Sequence, residues 1–230
     1  MQTMILSEDD HIVVVYKPAG LATQTAHVGR QDVVSELKNY LKNPYLGIIH
    51  RLDQPVEGLL VFAKNKKAAA ALTGQLQEKL FSKYYYAVVC GLPEENRGRL
   101  ENYIYRDRDN RAVVLDGIKE ETGNRTDNIK KAVLDYTILK KSGEKEIALA
   151  DITLETGRFH QIRAQMAHRG MPLLGDLKYG NTRSRELTES LKVRNVALCA
   201  YSLEFIHPVF QKKLSFQVTP SGRVFSFFSQ

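Results

Sequence analysis

Much that would mark a familiar chemistry is missing from this chain. Among 230 residues there are two cysteines, Cys90 and Cys199, both in apolar, strand-like surroundings. Neither has a metal-ligand spacing, so they read as two buried thiols in a reducing cytosol, not as a disulfide or a zinc site. No apolar run approaches the ~20 residues that span a bilayer. The longest, such as Ile12–Tyr16 and Gly58–Ala63, are strand-sized, so no membrane association is expected. The opening MQTMILSEDDHIVVVYK has no basic n-region followed by an apolar core, which argues against a secretory signal and for a cytoplasmic protein. There is no G-x-x-x-x-G-K-[ST] loop, no G-x-S-x-G elbow and no dinucleotide fingerprint. Repeats, low-complexity tracts and Pro/Ser/Gly-rich linkers are also lacking. That predicts a single domain over 1–230 with insertions.

What is present is ordinary globular composition with a basic bias. The chain is 43% hydrophobic and 26% charged, with a formal net charge of +7. The excess lies in residues 51–230, which carry +8, against −1 for residues 1–50. Cations alternate with rings: Lys83 precedes Tyr84-Tyr85-Tyr86, and Tyr105 lies among Arg106, Arg108 and Arg111. Cations neutralise phosphates and flat rings stack on unpaired bases, so the mixture suits RNA, although such clusters also occur as plain solvated faces.

Ile12–Tyr16 is β-branched and stops at Lys17-Pro18-Ala19-Gly20, a strand and turn. Asp32 is placed to cap a helix through about Leu41. Ile48–Asp53 and Leu59–Lys64 read as extended segments around Gln54-Pro55-Val56-Glu57-Gly58. Asn65 caps an Ala-rich helix over Lys66–Leu80, and Lys83–Val89 is an aromatic strand. Short strands follow near 99–105 and 111–115, with a flexible loop over 116–130. Ala132–Lys140 and Glu146–Leu154 form a hairpin. Thr156 would cap a helix through about His168, closed by Gly170. Val196–Phe205 and Lys213–Val218 are late strands. The fold class is α+β, a mixed and largely antiparallel sheet flanked by helices.

Two constellations could carry chemistry. In His50-Arg51-Leu52-Asp53, strand alternation sends Arg51 and Asp53 to one face and Leu52 to the other. That presents a carboxylate at a strand end, and it equally fits an Arg–Asp bridge anchoring a turn. In Thr156-Gly157-Arg158-Phe159-His160-Gln161-Ile162-Arg163, helical spacing turns Phe159, Ile162 and Met166 to the core, with Arg163 beside them. A partly buried guanidinium needs a carboxylate or phosphate, and pairing with Asp53 would hold that acid in place. His50 and His160 lack a second ligand at metal spacing and read as hydrogen-bonding groups of a polar cleft or of an RNA surface.

Taken in order, these segments resemble the RluA-type family of RNA pseudouridine synthases. HRLDQPVEGLLVFAKN is similar to its H-R-L-D-x-x-T-S-G stretch and SKYYYAVVCG to its K-x-Y-x-A strand. LETGRFHQIRAQMAHRGMPLLGDLKYG is similar to T-G-R-x-H-Q-[IL]-R followed by G-x-P-[IL]-x-G-D-x-x-Y-G. VYKPAGLATQ and NVALCAYSLEFIHP match the opening and late segments. The resemblance implies the pseudouridine synthase catalytic fold, here without a separate N-terminal S4-like domain. It implies Asp53 as catalytic aspartate, Tyr85 as active-site tyrosine and Arg163 as the arginine paired to Asp53. His50, Arg51, Lys83, Arg158, His160 and Gln161 would contact substrate. It implies isomerisation of uridine in tRNA or rRNA with no cofactor and no metal, by a chain expected to be a monomer.

Whether Asp53 is nucleophile or base stays open. Val56-Glu57 replaces the usual Thr-Ser, which would add negative charge near Asp53 and incoming phosphates. Gln165 and Cys199 stand where histidines are usual. A non-catalytic RNA-binding protein on the same scaffold is the alternative. A phosphoesterase or glycosidase would need a metal set or a second carboxylate, for which Glu57 is the one nearby candidate.

Overall fold

A computed structural model of the chain describes residues 2–25, 29–117 and 128–228. Of the loop expected over 116–130, residues 118–127 lie outside the described residues. In chain order the elements are β1 (Met4–Glu8), β2 (Ile12–Lys17), α1 (Val33–Leu41), β3 (Gly47–Ile48), β4 (Glu57–Ala63), α2 (Lys66–Gln77) and β5 (Ser82–Cys90). There follow β6 (Arg97–Arg106), β7 (Ala112–Leu115), β8 (Lys130–Ser142), β9 (Ile147–Leu154), α3 (Gln161–His168), α4 (Thr182–Ser190), β10 (Leu198–Ile206) and β11 (Lys213–Gln217). A 3-10 turn covers Arg223–Phe228. The chain divides into two compact units, Met1–Tyr85 with Cys199–Gly222, and Tyr86–Leu198 with Arg223–Gln230.

In the first unit β2 pairs antiparallel with β4, from Ile12↔Ala63 to Lys17↔Gly58. β1 adds antiparallel to β2, and β3 pairs with the far end of β4. β10 runs parallel to β4 through Cys199↔Glu57 and Ala200↔Gly58, and β11 returns antiparallel on β10. Alternation sends Ile12, Val14, Leu59, Val61 and Ala63 to one face, where they meet Ala68 and Leu72 of α2 with Phe81, Leu203 and Phe205. The intervening Val13, Val15, Leu60 and Phe62 are buried too. A strand covered on both faces reads as an unbroken apolar run, as EGLLVFA does. Gly58 is essential to the parallel contact. Its φ is +127°, and a Cβ there would lie 2.5 Å from the backbone N and O of Ala200.

Two of the three expected caps form: Asp32 accepts from Ser35 N at 2.7 Å, and Asn65 from Ala68 N at 2.9 Å. α2 stops at Gln77, short of Leu80, and Lys79 just beyond it takes a left-handed φ of 58°. The extended reading of Ile48–Asp53 holds as strand only to Ile48. Beyond it the backbone groups of Leu52 and Gln54 bond to loop partners, described below.

In the second unit β9, β8, β6 and β7 form an antiparallel ladder in that order. Ile104, Ala112 and Ala132 of this sheet close over Ala164 of α3, with Val114 and Tyr179 against them. The helix expected from Thr156 begins five residues later, at Gln161. Thr156 is no cap: its hydroxyl accepts from Val133 N and donates to Gln161 Oε1. His160 enters the helix with a left-handed φ of 52°. Phe159 therefore precedes the helix and is 37% exposed, whereas Ile162 and Met166 are buried as the spacing requires. β1, α4 and the 3-10 turn have no counterpart in the sequence reading. The result is α+β with a mixed, mostly antiparallel sheet. Among the described residues no helix is long and apolar enough to cross a membrane.

Candidate active site

Asp53 sits, half-buried, in a loop bolted on both sides. On one side the Thr23 hydroxyl donates to Leu52 O at 2.8 Å and accepts from Leu52 N at 3.2 Å. On the other, Gln54 O accepts from Gly20 N at 2.8 Å and from the Lys17 ammonium at 3.1 Å. Val56 N closes the turn onto Asp53 O at 3.0 Å. Leu52 points into the core, and Arg51 is exposed. The strand alternation thus survives as an in–out pattern even though the ladder does not continue.

Lys17 is fully buried and also donates to Pro18 O and Leu21 O. Burial lowers its pKa to about 8, against the pull of Asp53 and Glu57, which favour the ammonium. A buried cation is thereby held near Asp53 by the K-P-x-G turn. The sequence reading passed over it; the signal was a lysine ending an apolar strand, directly before Pro and Gly.

Tyr85 is buried on β5. Burial, then Asp53 and Cys199, push its phenol up, so it is a neutral hydroxyl at physiological pH. Lys83, two residues earlier, is pushed down by burial. His50 lies edge-on to Phe81, with ring centroids 5.3 Å apart, and its Nδ1 has no hydrogen-bond partner among the described residues. Burial, and then Lys83, hold it well below its ordinary pKa, so it is a neutral imidazole. Burial also raises both thiols, Cys90 to about 12, which leaves them unreactive.

Glu57 corrects one expectation. Its charge does not face incoming phosphates: the residue is 3% exposed. The carboxylate accepts from the Tyr16 hydroxyl, the Ser221 hydroxyl and amide, and Gly222 N. Where the family pattern has a hydroxyl pair, this chain has a buried acid tying β4 to the turn at 221–222, with Val56 buried beside it.

The second unit carries the other half of the predicted set. Arg163 is bound bidentately by Asp176, Nε to Oδ2 at 2.7 Å and Nη2 to Oδ1 at 2.9 Å, with both side chains buried. Asp176 also accepts from Lys178 N and Tyr179 N. Gly175 forces the turn that aims it: φ is +81°, and a Cβ would meet Asn195 O at 2.1 Å. Tyr179 lies beneath the Arg163 guanidinium and bonds His160 Nδ1 at 2.7 Å. Gln161 is buried and acts as a brace, its amide accepting from Thr156 and Arg158 N and donating to Val133 O. Arg158 is half-buried and donates to Lys131 O. Asp176 and Tyr179 sit in the quoted G-D-x-x-Y-G segment, where the Gly-Asp pair was the available signal. Among the described residues no group of three or more His, Cys, Asp or Glu is placed to hold a metal.

Residues 11–168, more than half the chain, match the RNA pseudouridylate synthase family. The chain belongs to this family. Within it, the chain is 31% identical over 210 residues to the uncharacterized RNA pseudouridine synthase YhcT of Bacillus subtilis, covering 89% of this chain and 64% of that protein. It is 36% identical over 179 residues to ribosomal large subunit pseudouridine synthase C of Rickettsia felis, covering 77% and 56%. The chain thus spans about three fifths of the length of these curated relatives. Human RNA pseudouridylate synthase domain containing 1 superposes with a TM-score of 0.75 at 22% identity, covering 95% of this chain and 83% of that one. That likeness shows the pseudouridine synthase fold.

Proposed function

We propose that this chain isomerises uridine to pseudouridine within RNA, with Asp53 as the reacting carboxylate. The observation that carries the reading is the fixed Asp53 loop, clamped by Thr23 and by the buried Lys17 ammonium, with the neutral Tyr85 hydroxyl nearby. Such bracing holds an acid in a reactive geometry without reorganisation at the moment of reaction. In the reaction the N1–C1′ bond breaks, the uracil turns and a C5–C1′ bond forms. C5 gives up its proton and N1 gains one, so no redox partner is consumed. Asp53 acts on the sugar as nucleophile or base, and Arg163, oriented by Asp176, is the guanidinium the resemblance pairs with it. The target base leaves its stack to reach the acid.

Relatives named as large-subunit ribosomal enzymes support a ribosomal RNA substrate, with transfer RNA the other candidate. The chain works as a cytoplasmic monomer without cofactor or metal. Asp53→Asn should lower pseudouridine formation about a thousandfold or more while RNA binding persists. Pseudouridine mapping in cells lacking the gene, complemented with either form, checks this. Full modification by the variant refutes the catalytic role. Rescue of growth without modification favours the RNA-binding alternative.

A further inference from the structure

Cations in the second unit fall into two classes. Arg99 is bound by Asp135 and Glu155, and Lys131 by Glu101. Arg106, Lys130 and Arg158 have no carboxylate partner among the described residues. These three line one groove of about 420 Å³ at the end of the sheet, beside the loop that enters α3. Lys130 stands opposite Ile104 in the β6/β8 register, and Arg106 lies two residues beyond Ile104. Lys130 and Arg106 therefore leave the same face as Ile104, and Arg158 lines the groove from the segment before α3. Phe159, which the helical spacing had assigned to the core, forms part of this wall. The Arg106 guanidinium lies 4.5 Å from its ring centroid, and the ring stacks on His160 at 3.8 Å. This holds the guanidinium in place at little entropic cost. The one acid in the lining, Asp107, accepts from Arg111 N at 2.7 Å in the turn after β6, so the charged side chains of the lining are three cations and one anion.

Three cations without an ion-pair partner among the described residues, one of them aligned on a ring, make a receptor for successive phosphodiester groups. A volume on the scale of one small ligand seats a single strand rather than a helix. We infer that the Arg106–Lys130–Arg158 groove grips the phosphodiester backbone of single-stranded RNA flanking the target uridine. This deepens the proposed function and rests on it only for the identity of the strand. Here RNA choice lies partly on the catalytic fold's own surface.

The test uses fluorescence anisotropy with a labelled single-stranded oligouridylate of about 12 nucleotides, across a range of salt. Arg106 and Lys130 are both exposed, so Arg106→Gln/Lys130→Gln is expected to fold, with circular dichroism as the check. The double variant should bind at least about tenfold more weakly at low salt. Its log–log salt slope should be shallower by about 1.4, at about 0.7 per lost phosphate contact. Its single-turnover rate at saturating RNA should equal that of the wild type, as befits a grip and not a reacting group. Arg99→Gln, which removes an already neutralised cation, should leave affinity and slope unchanged. Wild-type affinity and slope in the double variant overturn the inference, and so does an equal loss in Arg99→Gln. A wild type that grips the strand through these residues yet makes no pseudouridine sinks the proposed function and leaves the groove standing.

Discussion

Removing the Asp176 carboxylate offers a sharp test of the second unit. Its side chain is 1% exposed and that of Arg163 is 6%, and two bonds of 2.7 and 2.9 Å join them. Taking away one member of a buried ion pair costs about 3–5 kcal/mol, because the remaining charge has lost its bidentate partner in a place water does not reach. The amides of Lys178 and Tyr179 lose their acceptor as well. Asp176→Ala should therefore destabilise the protein by about 4 kcal/mol. For a chain of this size that lowers the melting temperature by about 8–16 °C. Asp176→Asn keeps one oxygen for the amides and for one guanidinium nitrogen. A neutral acceptor bonds about half as strongly as a charged one, so it should cost about half as much. Because the pair acts as a unit, Asp176→Ala and Arg163→Met should be less than additive, with a coupling of about 1–3 kcal/mol in a double-mutant cycle. Thermal and urea unfolding supply all four corners. A melting temperature for Asp176→Ala within about 2 °C of the wild type, or simple additivity, refutes this account of the pair.

Two further outcomes are expected. Gly58→Ala forces a Cβ to 2.5 Å from the Ala200 backbone at a φ of +127°; it should cost more than about 3 kcal/mol or yield insoluble protein, and a wild-type melt of the purified variant contradicts this. Lys17 holds its proton less tightly folded, at about 8, than at its ordinary 10.5. The unfolded chain binds the extra proton between these values, so the contribution to stability rises with pH across that window, by about 3 kcal/mol, and is flat below it. Urea unfolding at several pH values should show the rise in the wild type and its loss in Lys17→Met; the same slope in both defeats the assignment.

Local rules were legible where one element decides its own fate. The caps at Asp32 and Asn65, the alternating strands and the β8–β9 hairpin follow from side-chain chemistry within a few residues. α4 was not legible because TRSRELTES has Leu187 as its one apolar anchor, with buried Ser184 and Thr188 beside it, and Thr188 bonding Gly175 N. Helical spacing misplaced Phe159 because the tail before α3 is held by Thr156 and Gln161 against Val133, a partner more than twenty residues away in sequence. At the candidate site the residue types were readable and their tethers were not. Asp53 and Arg163 stand out in their motifs, but Thr23, Lys17 and Asp176 act through backbone carbonyls or distant carboxylates that no periodicity encodes. The Glu57 substitution looked like an added surface charge; only its partners at Tyr16 and Ser221 reveal a structural clasp.

The first unit is discontinuous: residue 58 lies against residue 200, and everything between 86 and 198 belongs to the other unit. A nascent chain leaving the ribosome can complete the 86–198 portion of the second unit while the first still awaits its β10 and β11 strands. A product cut off before Cys199 would hold Asp53 in a sheet missing its parallel neighbour, with one edge of β4 open. Premature termination shortly upstream of that residue therefore removes the finished surroundings of the acid even when Asp53, Tyr85 and Arg163 have all been translated.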